Sequence, residues 1–448
     1  MSFPSDTIAA LATPVGTSAI AVVRASGPAV AEITRNIFGE TPPARQARHA
    51  DYRDAQNQLV DDVLFTFFAG PNAFTGEDSL EISSHGNPFI AQKILEDLFA
   101  RGCRPAEAGE FTKRAFLNGR MDLSEAEAVM DLIHARSERA LAAANQQLRG
   151  ALGRQMAQLV ALLLKILAQV EAYIDFPDED LPVEDRQKMS GELDELITAT
   201  NRLSATSHYG ELLREGIRTV ILGEPNAGKS SLLNRLVGRD RALVSAEPGT
   251  TRDYLEERIV AGAHWLRLID TAGLNESPTG LEKRGIEKTL EQAVVADLFL
   301  WVIDSSRPLP VLPVVLTQRM NVQNTIAVLN KSDLPPATLL ALPFSSVKLS
   351  ALNGAGCDAL LVNISKLADS FRTNVGDELI AINARHAQAL AQASQCLVAA
   401  KERFNERSLD ELIASDLRGA LDAYGQISGK IENEELLDQL FAMFCIGK

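Results

Sequence analysis

At 448 residues the chain is too long for one ordinary domain, and two to four are expected. Its 46% hydrophobic and 23% charged residues are those of a globular protein and exclude overall disorder. A formal net charge of −15 argues against gripping nucleic acid unaided over a broad face, which leaves a local basic patch or a basic partner.

The start, MSFPSDTIAA, lacks a basic end followed by an apolar run, so no signal peptide is expected. Residues 1–118 mix short β-rich runs with helices. SAIAVVR (18–24), DVLFTFF (62–68) and SLEISS (79–84) read as strands, and NPFIAQKILEDLFARG (87–102) as a helix closed by Gly102. Residues 119–215 change to helical spacing, opened by a capping box at Asp122/Glu125 or Ser124/Glu127. The apolar run LVALLLKILAQV (159–170) is interrupted by Lys165 and is shorter than a membrane span, so it reads as a core helix. Arg136, Arg139, Arg149 and Arg154 form a sparse basic row, read as a solvated helix face rather than a nucleic-acid contact.

Across residues 216–372 apolar runs alternate with turns and helix-like sequence, the pattern of a doubly wound, mostly parallel sheet. Residues 373–448 return to helix. The economical architecture is a helical domain assembled from both flanks with the α/β domain inserted between them, preceded by an α+β N-terminal domain. Cys103, Cys357, Cys396 and Cys445 are too widely spaced for a disulfide framework or a zinc site, and a reducing cytoplasm fits.

Four motifs fall in order in the inserted domain. GEPNAGKS (223–230) fits G-x-x-x-x-G-K-[ST] between a strand and a helix, where backbone N–H groups close on phosphate oxygens. Lys229 neutralises β- and γ-phosphate charge and the Ser230 hydroxyl ligates Mg²⁺. SAEPGTTRD (245–253) is the switch, with Thr251 the second hydroxyl ligand of Mg²⁺. DTAG (270–273) supplies Asp270 to support the metal and the Gly273 N–H to the γ-phosphate. NKSD (330–333) selects the base, because Asp333 can accept from both N1–H and the exocyclic amine of guanine, a donor pair that adenine lacks. SAL (350–352) closes over it. The expected nucleotide contacts are Asn226, Ala227, Gly228, Lys229, Ser230, Ser231, Ser245, Ala246, Glu247, Pro248, Gly249, Thr250, Thr251, Asp270, Thr271, Ala272, Gly273, Asn330, Lys331, Asp333, Ser350, Ala351 and Leu352. Together they predict GTP binding with Mg²⁺.

Hydrolysis needs further parts. Leu274, after DTAG, cannot orient water as a glutamine does. Glu282 is either the water-holding carboxylate or an exposed acid at a helix start. No arginine finger is evident; the Asn226 amide either seats a monovalent cation beside the phosphates or faces solvent.

PNAGKS, GTTRD, DTAGL followed by GIEK, the block FTKRAFLNGRMDLSEAEAVMDLI (111–133) and the closing CIGK together resemble the tRNA modification GTPase family MnmE, also called TrmE, end to end in domain order. The resemblance implies a homodimer and a K⁺-activated GTP hydrolase. It implies a flavoprotein partner, MnmG (GidA), in a heterotetramer or larger complex that places an aminomethyl or carboxymethylaminomethyl group on carbon 5 of the tRNA wobble uridine. Most of the tRNA contact would come from that partner. The one-carbon donor is a tetrahydrofolate derivative, 5-formyl or methylene. Residue by residue, Asn226, Ser245, Glu247 and Thr250 match the K⁺ positions, and Glu282 matches the water-orienting glutamate. Arg24, Glu81 and Arg120 match the folate positions, Arg120 standing where relatives carry Lys. His85 beside Glu81 reads as a packing or turn residue more readily than as a metal or acid–base partner.

The tail leaves three readings of Cys445. As C-a-a-X, CIGK has the wrong residues at Gly447 and Lys448 for a lipid site. A buried structural thiol is the plain alternative. In the third, the helical domain delivers Lys448 to the folate pocket and Cys445 to the chemistry as nucleophile or acid/base.

Overall fold

The computed structural model describes residues 6–175, 183–240, 256–270, 293–337, 342–371, 380–406, 409–429, 437, 440–442, 444 and 446–447. The chain forms two compact units, one of Met1–Met130, Leu152–Gln158 and Leu421–Lys448, the other of Asp131–Ala151 and Leu159–Ala420.

In the first unit, β1 (Thr7–Leu11), β2 (Ile20–Ser26), β3 (Ala47–Arg53), β4 (Leu59–Phe68), β5 (Ser79–His85) and β6 (Cys103–Pro105) form one sheet in the order β3-β4-β5-β2-β1-β6. All neighbours are antiparallel except β1 and β6. The strands expected at 18–24, 62–68 and 79–84 are β2, β4 and β5, with ends shifted by a few residues. The helix expected at 87–102 spans Pro88–Ala100, its first turn capped by the Asn87 side chain accepting from Phe89 N at 2.9 Å. Val30, Ile33, Ile94 and Leu98 of two helices bury Val23, Phe65, Leu80 and Ile82 of the sheet. A second cluster, Ile8, Ala10, Ala106 and Phe111, leads into helix Glu110–Leu117.

Of the two capping boxes read from sequence, Asp122/Glu125 forms. Glu125 N donates to Asp122 Oδ1 at 2.8 Å and Asp122 N to Glu125 Oε2 at 2.9 Å. Leu123 and Ala126 of the helix so started pack with Leu437, Phe441 and Phe444 from the chain's end. Gly109 makes this possible: φ is +65°, and a Cβ there would lie 2.5 Å from the Phe441 carbonyl oxygen.

In the second unit, β7 (Ile217–Leu222), β8 (Glu256–Ala261), β9 (His264–Asp270), β10 (Leu298–Asp304), β11 (Thr325–Asn330) and β12 (Ser345–Lys348) are ordered β12-β11-β10-β7-β9-β8. All pairs are parallel except β8 with β9. Every residue of β10 is buried, as a strand covered on both faces requires. Strand order reverses between β7 and β10, so the turn after β7 opens at the crevice where such sheets bind ligands. The flanks do assemble together. Helix Val183–Ser204 packs on helix Ala384–Asn405, with Lys401 Nζ bonded to Ser190 and to Asp194 Oδ2 at 2.8 Å.

The helix containing the apolar run 159–170 is longer than the run, Ala151–Asp175, and is long and apolar enough to cross a membrane by length and composition alone. Its buried residues Leu152, Met156, Leu159, Leu163, Ile166 and Val170 recur at steps of four and three, a seam of the kind helices pack with.

Candidate functional site

β7 ends at Leu222, and the turn to helix Lys229–Asp240 uses positive φ at Gly223 (152°), Asn226 (62°) and Gly228 (95°). Lys229 is buried, its Nζ donating to the carbonyls of Gly223 at 3.0 Å and Glu224 at 2.9 Å. A positive side chain and a helix N-terminus thus meet at one turn, an arrangement suited to phosphate. Asn226, Ser230 and Ser231 are exposed around it, and Ala227 is buried beneath.

Asn330 ties this loop to the base-binding loop. Its amide nitrogen donates to Ala227 O at 2.8 Å and its amide oxygen accepts from Ala351 N at 2.9 Å, with the side chain 2% exposed. A Cβ on Gly228 would fall 2.3 Å from that nitrogen, so only glycine leaves the crossing intact. Lys331, at φ 59°, donates to Asp304 Oδ2 at 2.7 Å. Burial raises the Asp304 carboxyl, but Lys331 and Ser306 outweigh it and hold the group below the ordinary carboxylate range. Arg235 of the helix after the phosphate loop donates to the carbonyls of Leu352 and, at 3.4 Å, Ala351. Ser350 is buried, while Asp333 and Leu352 are exposed. Asp304 and Arg235 were not singled out in the sequence; each supports a motif from outside it. Asp270 closes β9 opposite Ile221. Residues 245–251, 271–273 and Glu282 lie outside the described residues.

The second cluster is in the other unit. Arg24 on β2 stands directly opposite Glu81 on β5. Its Nε and Nη2 donate to Glu81 Oε1 at 2.9 and 2.7 Å, and its Nη1 to Gly447 O at 3.2 Å. Phe74 and Phe111 approach the guanidinium at 5.9 and 5.6 Å. Both Arg24 nitrogens donate to Glu81 Oε1, and no described residue donates to Oε2. Arg120 is exposed, its stem lying along Gly76 in the loop that bears Phe74. Phe74 carried no sequence signal, and Phe111 entered only as the first residue of the 111–133 block. Cys445 and Lys448 lie outside the described residues, but Gly447 between them reaches this pocket.

His85 pairs with Asp61 rather than Glu81. Nδ1 lies 2.9 Å from Asp61 Oδ1, which raises the imidazole pKa, and among the described residues no group of acids, His or Cys could hold a metal. Two members of the basic row have partners, though neither is buried: Arg136 stands over Trp265 and Arg139 pairs with Asp369.

A doubly wound sheet, a phosphate loop at its switch point and a base loop locked to it by Asn330 define a P-loop GTPase. Model descriptions place this further. "MnmE helical domain" matches residues 123–445 and "GTP-binding protein TrmE N-terminus" residues 7–120. The tRNA modification GTPase MnmE of Opitutus terrae is 57% identical over 447 residues, covering 99% of each chain. Those of Akkermansia muciniphila and Clostridioides difficile are 43% and 38% identical, each covering 100% of both chains. The chain belongs to the MnmE family of tRNA modification GTPases.

Proposed function

We propose that this GTPase is K⁺-activated and, with the flavoprotein MnmG (GidA), drives aminomethyl or carboxymethylaminomethyl substitution at carbon 5 of the tRNA wobble uridine. A tetrahydrofolate derivative, 5-formyl or methylene, is the one-carbon source. The protein acts as a cytoplasmic homodimer, in a heterotetramer or larger assembly whose partner supplies most of the surface for tRNA. The observation that carries this reading is the Arg24–Glu81 fork beside Gly447. A guanidinium paired with a carboxylate and flanked by two aromatic rings donates to Gly447 O, in the tail that bears Cys445 and Lys448.

In the nucleotide site, Ser230 and Thr251 hold Mg²⁺, and Asn226, Ser245, Glu247 and Thr250 hold K⁺. When bound, these ions supply positive charge beside the β- and γ-phosphate oxygens. Lys229 neutralises the same oxygens, Glu282 orients the attacking water, and Asp333 reads guanine. In the N-terminal pocket Glu81 accepts from the pterin edge, while Arg24, Arg120 and Lys448 answer the anionic tail. Cys445 serves as nucleophile or acid/base. What supports the cation roles is position: Asn226 and Ser230 flank Lys229 on the turn and first helical turn after β7.

Purified with the flavoprotein, the chain should convert unmodified tRNA to the C5-substituted form in a GTP- and K⁺-dependent reaction. No product, or equal rates in Na⁺, would reject this reading.

A further inference from the structure

Two side chains outside the four motifs hold the two sides of the expected base slot. β10 ends at Asp304 and β11 at Asn330, paired side by side in the sheet. Asp304 is 7% exposed; its Oδ2 accepts from Lys331 Nζ at 2.7 Å, and its Oδ1 from Ser306 N at 3.0 Å and Ser306 Oγ at 2.6 Å. Ser305 N and Oγ donate to Asn330 O at 3.0 and 2.8 Å, so the end of β10 also fixes the backbone from which Lys331 leaves at φ 59°. The ammonium is committed to Asp304. What Lys331 offers a ligand is its apolar stem, suited to the face of a base.

The other side is the turn 350–355. Ser350 N donates to Ala355 O at 2.9 Å and Gly354 N to Ser350 O at 2.8 Å, which closes the turn on itself. Ala351 is held at both its backbone groups: its N–H by Asn330 Oδ1 at 2.9 Å, its carbonyl by Arg235 Nε at 3.4 Å. Arg235 Nη2 donates to the next carbonyl, that of Leu352. One guanidinium fork thus spans two successive carbonyls, which an ammonium, a point donor, does not match. Arg235 lies on helix Lys229–Asp240, so the helix that starts at the phosphate loop also braces the base loop. Ser332 N donates to Leu349 O at 3.1 Å and joins the two sides.

We propose that Asp304 and Arg235 are positioning residues of the guanine slot. Asp304 lays the Lys331 stem along one side, Arg235 holds the 350–352 backbone on the other, and together they set how long a guanine nucleotide stays bound. They act on the base and not on phosphate transfer. The inference rests on the reading of NKSD and SAL as the base site, and not on the potassium, folate or flavoprotein reading.

Asp304→Asn keeps the size of the side chain while removing the charge that holds Lys331. Arg235→Met keeps an unbranched stem and removes the fork. Release of a fluorescent GDP analogue, followed by stopped flow, should be about tenfold faster in each variant. KM for GTP should rise by a similar factor while kcat stays within about twofold. Tripolyphosphate, which carries no base, should compete for the phosphate loop with unchanged affinity, and Arg235→Lys should not restore slow release. Wild-type release rates in both variants overturn the proposal. So does an equal loss of tripolyphosphate affinity, which would mark a damaged fold rather than a displaced base wall. If Asp304→Asn fails to fold, Arg235→Met, at a half-buried position, decides alone. A wild-type chain that binds GDP no more tightly than tripolyphosphate would overturn the base-site reading and this proposal with it. Absence of tRNA product, or equal GTP turnover in Na⁺, would instead fault the proposed function, and GDP release would still decide this inference.

Discussion

The two candidate sites are built by opposite rules. The nucleotide site hangs on short contiguous motifs, and its backbone turn at Gly223, Asn226 and Gly228 needs only local geometry to form. The Arg24–Glu81 pocket draws on β2, β5, the Phe74 loop, helix Glu110–Leu117 and a tail residue more than 400 positions away. The first site forms its turn locally and draws on distant residues for its lock to the base loop through Asn330. The second depends on how the N-terminal unit and the chain's end pack together.

The largest effect expected is at Lys229. Lys229→Ala should lower GTP turnover by about 10²–10³-fold, measured as phosphate release, while leaving ligand binding at the Arg24 pocket unchanged. Next, Arg24→Ala should weaken 5-formyltetrahydrofolate binding about 10–100-fold by calorimetry, the scale of losing charged hydrogen bonds. GTP turnover should be unaffected; coupled losses would break the independence of the two sites. Asn330→Ala strands the Ala227 carbonyl and the Ala351 N–H in a buried place, so it should cost about 1–3 kcal/mol in denaturant unfolding. Gly447→Ala sharpens the comparison from the other side. At φ +90°, a Cβ would sit 2.4 Å from Leu11 O, so the tail must shift and ligand affinity at the Arg24 pocket should fall several-fold with normal GTP turnover.

The smallest effect is acid sensitivity of the N-terminal unit. Arg114, 1% exposed, binds Asp6, Glu77 and Glu110. For Glu110, burial raises the pKa but Arg104 and Arg114 outweigh it; for Asp6, the Arg104 hydrogen bond leads and the net shift is also downward. Carboxyls lowered by folding contribute stability that is full above their ordinary range and is lost as pH falls through the lowered values. The unit should lose that stabilisation below pH about 4, and Arg114→Met should flatten the dependence. An unchanged acid limb in that variant would contradict this origin.

What was legible in the sequence follows the same division. The phosphate loop, NKSD, the 87–102 helix and the Asp122/Glu125 box all depend on residues within a few positions, and each is where the sequence placed it. β1, β3 and β6, and β8 and β12 in the second sheet, were missed. ARHADYR is mostly polar, and CRP is a three-residue strand carrying proline. The aromatic contacts of Arg24 were illegible because they depend on the fold that brings Phe74 and Phe111 to β2. Arg136 and Arg139 read as solvated because nothing near them in sequence announces Trp265 or Asp369.

The central claim is that both sites serve one modification of tRNA, and mass analysis of tRNA tests it most directly. In a strain lacking the native gene and carrying either Lys229→Ala or Arg24→Ala, the account predicts wobble uridines without their carbon-5 substituent in both cases. Fully substituted wobble uridines with either variant would contradict it.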